Sequence, residues 1–116
     1  MAGRMLYLCK IFERRYGVIG RVARRYLMAG YSVEFMHPTR YGSIHIIARR
    51  GSEKIAVEVF EKPSSVTMDT ATRLLEKSRL VGAKPLLVLY SSGPRMDSTM
   101  RNYCAENGIR IRRIRD

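Results

Sequence analysis

Tryptophan and glutamine are absent from the 116 residues, and cysteine, histidine and acidic side chains are scarce: two cysteines, two histidines and 10 aspartates and glutamates against 22 lysines and arginines. Each shortage narrows the possibilities. Cys9 and Cys104 lie far apart, with no CxxC pair and no Cys/His ligand spacing around them, so no metal site of the zinc type is expected and two buried thiols are. Apolar runs never approach the roughly 20 residues of a membrane span. The apolar opening MLYLCKIF is interrupted by Lys10 and no small-residue cleavage site follows, which leads us to expect a soluble, cytoplasmic protein without a membrane partner. At this length the expectation is one domain over 1–116, with a real core and any site carried on a single small scaffold.

What the chain has in excess is arginine. The formal charge is +12, and 17 of the 22 basic residues are arginine, whose planar fork suits bidentate phosphate contacts. A polyanion is the partner such a balance selects, nucleic acid first among them. The competing account is a solvated arginine-rich surface of a thermophilic protein, with which the lack of Gln and Trp agrees.

Periodicity orders the elements. Phe12, Tyr16, Ile19, Ala23 and Tyr26 recur at helical steps in a segment spanning about 4–29, which Gly17 and Gly20 are placed to split. Arg14, Arg21 and Arg25, with Arg15 and Arg24 alongside, make a basic stripe on another face. Gly30 ends that segment, YSVEF alternates as a half-buried strand, and HPTRYG reads as a loop, with His37 in it. Two strands follow, about Ser43 to Arg49 and Lys54 to Phe60, joined through Arg50, Gly51 and Ser52, before Lys62, Pro63 and two serines break the pattern. Thr67 or Asp69 can cap a helix to about Val81, with Met68, Ala71, Leu75 and Ser78 inward and Gly82 closing it. PLLVLY, apolar on both faces, predicts a strand covered on each side. Asp97 can cap a last helix, and IRIRRIR then alternates, Ile109 and Ile111 against Arg110 and Arg112. Tyr7, Tyr16, Tyr26, Tyr31 and Tyr103 sit among apolar neighbours as packing residues. The fold class is α/β, a layered sandwich on a mixed sheet in the order α-β-β-β-α-β-α-β.

One residue stands out from this pattern. Glu58 lies inside the apolar strand KIAVEVF, where a carboxylate is costly unless paired, hydrated or at a site. Strand alternation puts Glu58, Phe60 and Lys62 on one face, and a hairpin in register would bring His45 near Glu58. At these residues the chain resembles the PD-(D/E)XK nuclease superfamily, and most closely the small archaeal Holliday-junction resolvases. The resemblance rests on the order of elements from about Tyr16 onward, on AGYSV, on His45-Ile46-Ile47-Ala48 and Val57-Glu58-Val59-Phe60 as its two signature strands, and on RLVGAKPLLVLY. It implies the restriction-endonuclease-like α/β/α sandwich. It also implies a site in which an Asp and a Glu hold a divalent metal that activates water, with a Lys two residues after the Glu. Glu58 matches the Glu, but His45 stands where the Asp belongs and Phe60 where the Lys belongs.

Three readings follow. The first is a degenerate resolvase-type protein that binds duplex or branched DNA without cleaving it, needs no cofactor, and acts as a homodimer through the apolar N-terminal segment. Its candidate contacts are Arg21, Arg24, Arg25, Arg40, Tyr41, Arg49, Arg50 and Lys62, with Arg110 and Arg112 as the other place for a basic surface. The second is an active endonuclease using Mg or Mn, with Glu58, His45 and a relocated Lys62 as catalytic residues, Glu34 adding a carboxylate, or His45 ligating a softer metal. Set against these roles, Glu58 is an ion-pair partner of an arginine or of Lys62. The third is a non-catalytic subunit of an RNA-processing complex of the tRNA-splicing kind, for which Tyr41, His45 and Lys84 are the nearest candidates, so RNA stays open as a partner.

Overall fold

The computed structural model describes residues 2–62 and 66–115, so the break expected at Pro63, Ser64 and Ser65 lies outside the described residues. Helix α1 (Ala2–Tyr16) ends at Gly17, which takes φ +59, and α2 (Val18–Met28) starts directly after it. Gly20, expected as a second breaking point, instead stays helical. Its bare Cα is where α2 meets α1, and a Cβ there would stand 2.1 Å from the Phe12 carbonyl oxygen. The chain leaves α2 through Gly30 at φ +91.

Strand β1 (Ser32–Thr39) runs through the stretch read as a loop, so His37 is a strand residue and only Arg40 and Tyr41 turn the chain. Thr39 holds that turn: its hydroxyl accepts the Tyr41 N–H at 3.1 Å and donates to the Gly42 carbonyl at 2.6 Å. Pro38 is tolerated because β1 is an edge strand, where a missing donor can face solvent. Strand β2 (Gly42–Arg50) pairs with β1 and, across the Gly51–Ser52 turn, with β3 (Glu53–Phe60), both antiparallel. Helix α3 (Met68–Val81) carries the chain to β4 (Lys84–Tyr90), and α4 (Ser98–Glu106) to β5 (Arg110–Ile114), both strands parallel to their neighbours. The sheet order is β1-β2-β3-β4-β5. Of the two caps considered for α3, Thr67 serves, exchanging hydrogen bonds with Thr70, and Asp97 caps α4 through the Met100 N–H at 2.8 Å.

Alternation along β3 divides the core. Ile55, Val57 and Val59 pack with Val22, Ala23 and Tyr26 of α2, whereas Phe60 packs with Leu74 and Leu75 of α3 and with Cys104 of α4. Strand β4 is buried on both faces, as its unbroken apolar run requires. Ala71, Leu75 and Ser78 face inward on α3 as expected, and so do Leu74 and Lys77. Met68, expected inward, is the first residue of α3 and is exposed; Tyr7 is likewise exposed on α1 rather than packed. Both thiols are buried.

Candidate functional site

Regular pairing fails at one place. The β1–β2 register joins Phe35 to Ile46 and His37 to Ile44 but omits Met36 and His45, and Met36 takes φ 51. The β2–β3 register ends at Ile46 and Val57. Here the His45 side chain replaces a backbone partner: its Nδ1 accepts the Val59 N–H at 2.9 Å. An accepting Nδ1 places the proton of the neutral ring on Nε2. Burial holds the His45 pKa below its ordinary value of 6.5; Glu58 opposes that shift and Lys77 adds to it.

Glu58 is buried, and its Oε1 accepts from Lys77 Nζ at 2.6 Å. The same ammonium donates to the Ser43 carbonyl at 3.0 Å. The ion pair weighed for Glu58 therefore exists, but its cation is neither an arginine nor Lys62; it comes from α3. Lys62 lies exposed past the end of β3. Lys77 was missed because its position in the sequence reads as one more polar residue in an amphipathic helix. The available signal was the pair itself, a lone acid in an apolar strand requiring a cation from whatever packs over it. With both side chains more than 90 % buried, removing one partner costs about 3–5 kcal/mol, because the other charge is left alone in the core.

Glu58 and His45 are thus brought together, and other candidates are not. Glu34 is two strands from Glu58 and is occupied by His37 Nδ1 at 2.5 Å and by Arg49 at 3.3 Å, which together hold its carboxyl below the usual range. Phe60, where the resemblance places a lysine, belongs to the apolar core under α3. Tyr41 is at the β1–β2 turn and Lys84 at the start of β4, beside Ile55, so they stand toward opposite ends of the sheet and do not converge with His45.

These donors do not suit a divalent cation. The Glu58 oxygen faces an ammonium, and His45 ligating through Nε2 would need its proton on Nδ1, which already accepts from Val59. Among the described residues no three His, Cys, Asp or Glu side chains cluster as ligands would.

Five arginines gather on the other side of the sheet. Arg21, Arg24 and Arg25 project from α2 at spacings of three and four, hence on one helix face. With Arg50 and Arg112 they line a cleft of about 890 Å³ whose one acid is Glu13. Arg24 pairs with Glu13 at 3.2 Å. Arg50 donates to the Ala29 carbonyl at 2.8 Å and lies 4.3 Å from the centre of the Tyr31 ring, whose hydroxyl donates to Glu53 at 2.7 Å. That bond raises the Tyr31 pKa. A second depression, lined by Lys10 and Arg14, shares Glu13 and Arg21 with the first and extends the basic surface along α1. Five of the residues singled out from sequence meet here, Arg21, Arg24, Arg25 and Arg50 together with Arg112 from the alternative basic surface. Arg40 and Tyr41 do not; they border a hollow that also holds Asp69 and Glu76. Arg49 turns to Glu34.

Residues 15–100 match the family model described as the PD-(D/E)XK superfamily domain. The crystal structure of a protein of unknown function, AF1548, superposes with a TM-score of 0.63 at 15% identity over 80% of this chain. At that identity the likeness speaks for the fold alone, and this chain spans about half, 54%, of the length of that structure. No curated protein matches. The match over well more than half of the sequence agrees with the mixed sheet and with Glu58 on its third strand: the chain belongs to the PD-(D/E)XK superfamily.

Proposed function

We propose that this protein is a resolvase-type member of the superfamily that binds duplex or branched DNA through its phosphates and does not cleave it. The observation that carries this reading is the arginine cleft between α2 and β5, with five guanidinium groups and one carboxylate around its wall. It lies on the α2 face of the sheet, opposite the α3 face that holds Glu58, so the polyanion surface and the superfamily's acid do not share one groove. An acid neutralised by Lys77 and a histidine committed to the Val59 N–H leave no hard ligand pair to hold a metal, and cleavage with Mg2+ or Mn2+ is not expected. The same reading has two copies associating through α1, which exposes Leu6 and Tyr7.

Fluorescence anisotropy with linear duplex, four-way junction and structured RNA, each across a salt series, tests the reading. Phosphate contacts from five arginines correspond to a slope of roughly −4.5 in log K against log salt on duplex DNA. A flat response, or no DNA binding at low salt, overturns it. Binding confined to RNA would move the protein to the RNA-processing reading, and robust metal-dependent cleavage lost in Glu58→Ala would make it a nuclease.

A further inference from the structure

We propose that the Lys77 ammonium is a built-in cation that takes the place of the superfamily's divalent metal, turning the Glu58 site into a metal-independent clasp that ties β2 and β3 to α3. The clasp lies on the opposite face from the nucleic-acid reading and does not depend on it.

The charges around Glu58 lead to this inference. An Asp and a Glu side by side carry two negative charges, and a buried pair of that kind calls for a dication. Here the position of the Asp is His45, whose Nδ1 accepts the Val59 N–H at 2.9 Å and so bears no proton, leaving a ring without charge. That leaves one negative charge, which a single ammonium balances. Lys77 Nζ has oxygen neighbours of the sort a hard cation takes, the Glu58 carboxylate at 2.6 Å and the Ser43 carbonyl at 3.0 Å. Gly42 roofs it: a Cβ there would stand 3.5 Å from Nζ, and the φ of +114 disfavours any side chain. His45 and Lys77 thus act together, one removing a charge and the other supplying the counter-charge, and the two strands that would hold a metal meet instead an amine supplied by α3. Neither side chain is offered as a catalytic residue.

Thermal melts and Mn2+ calorimetry test the clasp. Wild-type protein should melt at one temperature in EDTA and in millimolar Mg2+ or Mn2+, and should bind no Mn2+. Lys77→Met should lower the melting temperature by on the order of 10 °C, since it strands a buried carboxylate. Adding Glu58→Met should recover most of that loss, since the charge is then gone from both sides. Joining His45→Asp to Lys77→Ala should create a protein whose melting temperature rises saturably with Mn2+. Saturable stabilisation of the wild type by Mn2+, or a Lys77→Met protein that melts with the wild type, overturns the proposal; if the double carboxylate variant does not fold, these two measurements still decide. None of the readouts involves nucleic acid, so failure of DNA binding would leave the clasp standing, and the reverse holds as well.

Discussion

A single hydrogen bond makes His45 a pH-dependent part of the fold. Its folded pKa lies below the ordinary 6.5, so as pH falls under about 6.5 the unfolded chain takes up the proton first. The contribution is complete above that pH and is lost as pH drops through the folded value. A melting series from about pH 8 to pH 5 should show this loss, and His45→Asn, which keeps an acceptor for Val59, should flatten it. An unchanged slope in that variant would assign the effect elsewhere. Glu34 is the opposite kind of group acting in a lower window, because its depressed pKa makes its contribution complete above the carboxylate range and lost below it. Glycines separate on the same scale. Gly20→Ala drives a methyl into the Phe12 carbonyl and should cost about 2–3 kcal/mol by chemical denaturation. Gly17→Ala meets open space and suffers only backbone strain, about 1 kcal/mol. If the two variants proved equally stable, the close approach of α1 and α2 at Gly20 would be wrong.

Helix α2 does two things with one amphipathic pattern. Val22, Ala23 and Tyr26 are buried on β2 and β3, and the arginines on its other face stay at the cleft rim. Tyr26 is buried and its pKa is raised mainly by that burial, against the pull of Arg112 from β5. Removing Arg24, Arg25 and Arg112 together should lower DNA affinity at least tenfold and make the salt slope shallower by about 2.7, three contacts at 0.9 each. Arg40→Ala should change affinity little, because Asp69 and Glu76 share its hollow. All are surface changes, and circular dichroism melts should stay close to wild type. A triple variant that binds like the wild type would place the nucleic-acid surface elsewhere.

At the scale of the whole molecule, the sheet puts the arginine cleft and the Glu58–Lys77 pair on opposite faces. The α2 face offers positive charge and the α3 face holds a neutralised acid. Association is the remaining property at this scale. Leu6 and Tyr7 on α1 are 46% and 65% exposed, and light scattering at micromolar concentration should return the mass of two chains; a monomer mass there would remove the dimer from the proposed function.

Element order, the caps at Thr67 and Asp97, the buried run of β4 and the β2–β3 hairpin were all legible in the sequence, because each depends on local periodicity, turn chemistry or residues a few positions apart. Glu58 was legible as an anomaly for the same reason: an acid among β-branched residues departs from its immediate surroundings. Local pattern does not identify what crosses between elements. Lys77 is 19 positions from Glu58 and only the packing of α3 on the sheet joins them; Arg112 reaches the arginines of α2 only because β5 pairs beside β4. Gly20 read as a helix breaker since sequence does not show what a bare Cα faces. HPTRYG read as a loop since sheet pairing, which overrides weak local propensity, depends on β2. The amino-acid sequence by itself determined the elements and the sign of the charge, and tertiary structure alone decided on which face of the sheet each charge would lie and which partner would neutralise it.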